Sequence, residues 1–165
     1  KEQKVVGRFD SRFTGYERNP SDEISYTDPS FDAIVGPFTA SFQQYLSKEL
    51  KVEKLEPYRV LNWEAVFPWN FGVNRTAAGM GYVYMSGKLA SAIEKNPSLK
   101  VFIASGYYDL ATPYFAADHT VSHLRLAPNL MKNVSQHYYE SGHMIYIDPL
   151  AHKKLKDDLA EFLEF

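Results

Sequence analysis

The chain has 165 residues, of which 45% are hydrophobic and 23% charged, and a formal net charge of −2. This composition excludes global disorder and is typical of one globular domain, or of one compact domain with an insertion. The negative net charge argues against a general nucleic-acid surface, which would need a basic patch. No apolar stretch is long enough to span a membrane. The chain has no cysteine, which excludes disulfides, thiolate zinc sites and a cysteine nucleophile.

The first part of the chain predicts few regular elements. Residues 5–9 predict a short strand, and residues 10–28 predict a loop because they are rich in turn residues. Pro37 follows a glycine, at a position that favours the start of a helix. Apolar residues at helical spacing then extend this predicted helix to about Leu50.

A short strand is predicted at residues 58–61, after which the chain becomes unusually aromatic. Residues 61–75 contain both tryptophans. Aromatic clusters mostly serve packing, so this part predicts a packed irregular segment or the edge of a lid. The alternative is the wall of a binding cleft.

The second half predicts alternating helices and strands. In chain order these are a helix from about 83 that ends before Asn96, a strand at 100–104, a helix at 113–124, a strand at 134–139 and a helix at 149–165. Such alternation favours parallel strands joined by right-handed crossovers. Functional groups of these sheets gather at the carboxyl ends of the strands.

One acidic and one basic side chain follow the two predicted strands. Asp109 lies in the loop after Gly106, and His143 directly follows Gly142. An aspartate followed by a histidine is the order of the last two members of an α/β-hydrolase triad. Taken separately, each residue is more often a turn residue or a satisfied polar group.

The sequence contains no nucleophile elbow of the type Gly-x-Ser-x-Gly. Ser86 precedes a glycine, but Tyr84 stands where the first glycine belongs. Ser105 and Ser141 also precede glycines, but they lie in the loops of Asp109 and His143. The chain therefore contains the acid and the base of a triad without its serine.

The other histidines predict no cofactor and no metal site. His119 and His123 have the spacing of metal ligands on one helix face, but no glutamate follows His119, so we interpret both as surface histidines. His137 in a strand and His152 at a helix start are interpreted as structural. No glycine-rich phosphate loop is present.

Four segments carry a resemblance to a known family. They are residues 6–15 (VGRFDSRFTG), 36–40 (GPFTA), 99–113 (LKVFIASGYYDLATP) and 138–146 (YYESGHMIY). The chain resembles the serine carboxypeptidases, in their bacterial, cysteine-free branch, over nearly its whole length. The last two segments are the ones most specific to this family.

The resemblance implies an α/β-hydrolase fold with a serine, aspartate and histidine triad that removes single residues from peptide C-termini. It implies Asp109 as the triad acid, His143 as the triad base, and Met144 as a residue of the pocket for the leaving residue. Residues 1–78 are expected to form a mainly helical cap-type insertion and its return to the sheet. Residues 79–165 are expected to form the carboxy-terminal half of the α/β-hydrolase core, with parallel strands and flanking helices.

The family's nucleophile, oxyanion hole and carboxylate-binding residues come from its amino-terminal half, so we expect this chain alone to be inactive. Half a sheet leaves an unpaired edge and an uncovered apolar face. We therefore expect pairing with the amino-terminal half or self-association, and a peptide substrate in the complete enzyme.

There are two alternative interpretations of the chain. It could be part of another α/β-hydrolase, either an esterase or an aminopeptidase, or it could be a non-catalytic interaction module. No signal segment is evident, and the compartment stays open, with a periplasmic or secreted parent protein compatible with the family.

Overall fold

The structure is a computed structural model that describes residues 3–16, 28–53, 58–60, 62, 64 and 85–164. Helices and strands are mixed in these ranges. The strands are β1 (Lys4–Val6), β2 (Thr14–Tyr16), β3 (Val101–Gly106) and β4 (Val134–Tyr139). The helices are α1 (Pro29–Lys48), α2 (Ser86–Lys95), α3 (Tyr114–Ser122), α4 (Pro128–Met131) and α5 (Pro149–Leu163), with a 3₁₀ turn at Ile145–Ile147.

The chain divides into two compact units, one of residues 1–30 with 84–165 and the other of residues 31–83. The first unit contains all four strands and helices α2 to α5. The expected division at residue 78 into an insertion and a hydrolase core stays a prediction. No helix in the described ranges combines the length and the apolar character that a membrane span requires.

Strands β3 and β4 pair in parallel, as the sequence predicts. Their register runs from Val101 opposite Val134 to Gly106 opposite Tyr139, and the connection between them carries α3 and α4. The last residues of the two strands therefore lie opposite each other. This pairing places the loops after β3 and β4 side by side.

Helices cover both faces of this strand pair. On one face, a core of buried residues from α2 and from the end of α3 packs against alternate strand residues, and it consists of Ala90, Ile93, Val121, Leu124 and Leu126. On the other face, the Phe102 ring meets Phe162 of α5 edge-on, with a centroid distance of 5.3 Å. The Tyr139 hydroxyl donates a hydrogen bond of 2.8 Å to Asp158 of the same helix. Period-two alternation thus sends neighbouring strand residues into different cores.

The predicted helices after residue 80 are confirmed in position, but two apolar residues whose helical spacing groups them with inward positions are exposed. Helix α2 ends before Asn96, and α3 and α5 lie within their predicted ranges. Phe115, however, is 70% exposed and stacks on Tyr114, and Leu163 is 77% exposed at the end of α5. Helical periodicity identifies a face but not whether another element covers it.

The predicted start of α1 is wrong. The helix begins at Pro29, because Asp28 caps it by accepting a hydrogen bond of 3.0 Å from the Ser30 amide. An Asp-Pro pair is typical of a turn, which is why residues 10–28 predict a loop, but aspartate before a first-turn proline is equally typical of a helix start. Pro37 lies inside the helix without ending it, and the helix ends at Lys48, close to the predicted end.

The predicted loop at residues 10–28 contains strand β2, which pairs antiparallel with β1. Because β1 and β2 are only three residues long, neither shows a clear alternation in the sequence. The strand predicted at residues 58–61 does not form over residues 58–60, and Leu61 lies outside the described residues. The aromatic segment 61–75 also lies outside them, apart from residues 62 and 64.

Candidate active site

Asp109 and His143 meet at the carboxyl ends of β3 and β4. Nδ1 of His143 lies 2.8 Å from Oδ2 of Asp109. The contact follows from the parallel register. Because the last residues of β3 and β4 lie opposite each other, the loops after the two strands begin at the same edge of the sheet. The structure thus joins the two residues that the sequence singled out.

Glycine allows the two loops to approach each other closely. A Cβ atom on Gly106 would lie 2.2 Å from the Gly142 carbonyl oxygen and 2.4 Å from that of Ser141. A Cβ atom on Gly142 would lie 2.2 Å from the carbonyl oxygen of Phe9. These neighbours are backbone atoms and cannot rotate away. The close approach of the two loops therefore requires glycine at both positions, Gly106 and Gly142.

The Asp109 carboxylate is buried and fully hydrogen-bonded. Its exposed fraction is 5%. Oδ1 accepts from the amides of Ala111 (2.7 Å) and Thr112 (2.9 Å), while Oδ2 accepts from the Thr112 hydroxyl at 2.5 Å and faces Nδ1 of His143. Burial by itself raises the pKa of Asp109, but the bonds from Thr112, His143 and Ala111 outweigh it and hold the pKa below its usual value. Asp109 is therefore ionised at neutral pH.

Thr112 joins the acid to the base, a role that the sequence reasoning missed. Its hydroxyl oxygen lies 3.1 Å from Nδ1 of His143 in addition to its bond to Asp109. An aspartate that is followed closely by threonine is typical of a turn in which the carboxylate caps the next amides. That signal predicts the turn, but only the structure shows that the turn also reaches the histidine.

The His143 ring is hydrogen-bonded at Nδ1 and is partly exposed. Its amide donates to the Phe9 carbonyl at 2.7 Å, the Phe9 ring lies 5.2 Å away, and the side chain is 39% exposed. The bond to ionised Asp109 requires the proton on Nδ1, which leaves Nε2 as the acceptor. No group of the described residues hydrogen-bonds to Nε2. Such a ring can accept a proton on Nε2 while Asp109 stabilises the resulting imidazolium.

Residues 8–11 contact both loops through their backbone. The Arg8 carbonyl accepts from the amide of Leu110 at 3.0 Å, and the Ser11 amide donates to the carbonyl of Tyr108 at 2.9 Å. Together with the Phe9 carbonyl, these groups connect the aspartate loop to the histidine loop. Backbone groups are the same in every residue, so no side-chain pattern could have predicted this contact.

Met144, the predicted substrate-binding residue, is half-buried. It lines a small cavity with Phe9, Phe13 and Ile147. The cavity lies beside the histidine loop, since Gly142 also lines it. The role of Met144 in substrate binding stays a prediction.

The three serines considered in the sequence are buried, and none of their hydroxyls hydrogen-bonds to His143. Ser86, Ser105 and Ser141 are between 0% and 9% exposed. Ser86 and Ser141 have hydroxyls without a hydrogen-bond partner among the described residues. None of the three is therefore positioned as a nucleophile for His143.

The predicted histidine pair of α3 lies on one side of the helix. The rings of His119 and His123 stack with a centroid distance of 4.0 Å, and Nδ1 of His123 lies 2.7 Å from the His119 carbonyl oxygen. The described residues contain no group of three histidine, cysteine or acidic side chains that could hold a metal ion. The contacts of this pair are therefore local ones, between the two rings and between His123 and the His119 carbonyl.

His137 and His152 both lie in packed or backbone-bonded positions. The His137 ring stacks on Phe102 with a centroid distance of 4.2 Å, and its Nδ1 lies 3.5 Å from Oδ2 of Asp158. The amide of His152 donates to the Asp148 carbonyl in the first turn of α5. Neither side chain contacts the Asp109–His143 pair.

Comparison with known proteins gives no match to a family model, to a curated protein or to a solved structure. A functional assignment therefore depends on the motifs of the sequence and on the geometry of the Asp109–His143 pair.

We predict that Gly142→Ala destabilises the protein by about 1–3 kcal/mol, the usual cost of forcing extra atoms into a packed region. The added methyl group would collide with the Phe9 carbonyl. The matched control is Gly87→Ala in α2, where a Cβ atom meets nothing within 4 Å. It is expected to be neutral or to stabilise by up to about 1 kcal/mol. Urea unfolding measures both, and equal stability of the two variants would contradict the close packing of the loops.

We also predict that Asp109→Asn reduces the acid sensitivity of the fold. The lowered pKa of Asp109 means that the unfolded chain binds the proton more tightly. Its stabilising contribution is therefore complete above a pH of about 4, the unfolded value, and is lost as the pH falls through the lower folded value. The free energy of unfolding between pH 5 and about 2 should fall less steeply in the variant than in the wild type. Identical slopes would contradict the lowered pKa.

Proposed function

We propose that this chain is the carboxy-terminal portion of a serine carboxypeptidase-like peptidase. It would supply Asp109 and His143 to a Ser-Asp-His triad that hydrolyses the C-terminal residue from peptides. The serine would come from the amino-terminal half of the same enzyme, so the chain alone would be inactive.

The observation that carries this proposal is the bond of 2.8 Å between Asp109 and His143. A triad needs a buried, ionised carboxylate on Nδ1 of a histidine whose Nε2 is open to the nucleophile. Asp109 is buried with a lowered pKa, and the His143 ring is partly exposed. A structural ion pair requires no exposed imidazole, so the partial exposure of His143 favours a catalytic role.

The α/β-hydrolase fold is part of the same proposal. It is supported by the parallel β3–β4 pair with α2 and α5 on opposite faces, and by the site at the carboxyl ends of the strands. The specific support comes from the motifs of the sequence. Thr112 belongs to the same motif as Asp109, and its bonds to both Asp109 and His143 give that motif a physical purpose.

In the proposed reaction, Nε2 of His143 accepts the proton of the serine hydroxyl as the serine oxygen attacks the scissile carbonyl. Asp109 keeps the imidazole in the Nδ1–H tautomer and stabilises the imidazolium. The histidine then donates its proton to the leaving amine, which departs as a free amino acid. In the second half of the reaction, His143 accepts a proton from the water molecule that attacks the acyl-enzyme. It then returns a proton to the serine oxygen as the shortened peptide leaves.

Another α/β-hydrolase, an esterase or an aminopeptidase, would use the same pair. The preference for a free C-terminal carboxylate separates these enzymes from a carboxypeptidase. For a non-catalytic interaction module, the coding sequence upstream would contain no Gly-x-Ser-x-Gly element.

We further propose that the amino-terminal half, or a second copy of the chain, covers those parts of the β3–β4 pair that α2 and α5 leave exposed. In the described residues this sheet has only two strands, a number that is marginal for stability in water. Residues 101–103 are only half-buried and Ala104 is exposed.

To test the activity, the chain would be joined to its upstream sequence and assayed on peptides with a free or an amidated C-terminus. We expect release of the last residue from the free form only. His143→Ala should lower kcat by about 10⁴-fold or more, and Asp109→Asn by about 10⁴-fold, because each disables proton transfer. His152→Ala, a histidine away from the pair, is the control. Equal cleavage of the amidated peptide, or full activity of His143→Ala, would contradict the proposal.

To test the covering of the sheet, the isolated chain would be studied by analytical ultracentrifugation, alone and with the upstream half added. We expect a dimer or larger species for the chain alone and a one-to-one complex with the upstream half. A monomer that binds neither a second copy nor that half would contradict the covered sheet.

A further inference from the structure

The Arg12 side chain contacts three separate parts of the site. Its Nη1 donates to the Glu140 carbonyl at 3.2 Å, just before the histidine loop turns. Its guanidinium carbon lies 4.6 Å from the centre of the Tyr108 ring, next to Asp109 in the chain. Nη1 is also 3.7 Å from Oδ2 of Asp148, which caps helix α5. One cation thus touches the aspartate loop, the histidine loop and the start of the last helix.

Asp10 fixes the orientation of this cation. Its carboxylate is 4% exposed and accepts from Nε of Arg12 at 3.0 Å and from Nη2 at 2.7 Å. The Arg12 amide bonds to the same carboxylate at 3.0 Å. Burial raises the pKa of Asp10, but the hydrogen bonds and the charge of Arg12 hold it below its usual value, with a further contribution from the Gly142 amide. A buried, two-pronged pair of this kind has a defined geometry, in contrast to an exposed ion pair.

The Asp10–Arg12 pair therefore holds the histidine loop at two places, Glu140 and Gly142. Arg12 donates to the Glu140 carbonyl, and Asp10 packs against Gly142, directly before His143, where a Cβ atom on the glycine would lie 2.6 Å from the Asp10 Cβ atom. The Phe9 carbonyl, next to Asp10 in the chain, binds the His143 amide. Three successive contacts thus set the position from which the imidazole reaches Asp109.

We propose that Asp10 and Arg12 are positioning residues that hold the His143 loop, so that Nδ1 of His143 stays hydrogen-bonded to Asp109. The catalytic meaning of this role rests on the proposed function. The geometric claim itself, that the pair determines the tautomer of His143, can be tested without any peptidase activity.

Arginine is required for this role because of its shape. A planar guanidinium can bind a carboxylate with two nitrogens and still direct a third N–H to a carbonyl. Lysine keeps the charge but has a single ammonium group. Arg12→Lys therefore separates the geometric role from the electrostatic one.

The experiment measures the tautomer of His143 in the 165-residue chain by two-bond ¹H–¹⁵N correlation NMR at neutral pH. We expect the Nδ1–H form in the wild type. In Arg12→Lys, Arg12→Gln and Asp10→Asn we expect loss of this form in favour of Nε2–H, with the rest of the spectrum still that of the folded protein. In the complete enzyme, the same variants should lower kcat by about 10²-fold with little change in KM, the usual cost of a small misplacement of a catalytic group.

The control is Phe162→Ala, which removes packing against Phe102 on the far side of the sheet from α2. It should lower stability and leave the Nδ1–H form of His143 intact. An unchanged tautomer in folded Arg12→Lys and Asp10→Asn would overturn the proposal. Global unfolding of both variants would also overturn it, because the pair would then hold the fold and not the loop. Failure of the proposed function would instead appear as Nδ1–H loss in the variants without any peptidase activity in the complete protein.

Discussion

The geometry of the site depends on the close backbone contact between the loops that follow β3 and β4. Gly106 packs on the Ser141 and Gly142 carbonyls, and Gly142 packs on the Phe9 carbonyl. Only residues without a Cβ atom allow these distances. The parallel register brings the two strand ends level, and the glycines then bring the loops together closely enough for Asp109 and His143 to form a hydrogen bond.

Two buried carboxylates, Asp109 and Asp10, hold this region with different partners. Asp10 pairs with Arg12, which stays protonated at all physiological pH values, so its bonds can only position the loop. Asp109 pairs with His143, whose imidazole can both accept and donate a proton, so its bond can take part in proton transfer. The nature of the partner thus separates a structural carboxylate from the candidate catalytic one.

The sequence predicted the parallel strands and the residues at their ends, because the alternation of helices and strands and the glycines at or shortly after the strand ends are local signals. It did not predict the start of α1 at Pro29, since the same Asp-Pro pair favours both a turn and a helix. Helical spacing also groups Phe115 and Leu163 with apolar inward positions, although both are exposed. Whether an apolar face is covered depends on distant elements. The bonds of Thr112 to the pair, and the backbone contacts of residues 8–11, arise in the same way from tertiary structure.

The central claim is that His143, oriented by Asp109, activates a serine that lies outside this chain. The most direct measurement is labelling of the joined, complete protein with a fluorophosphonate, which reacts only with an activated serine, followed by mass spectrometry of the adduct. The account predicts one labelled serine, located upstream of this chain, and no labelling in His143→Ala. An unlabelled wild type, or equal labelling of His143→Ala, would contradict it.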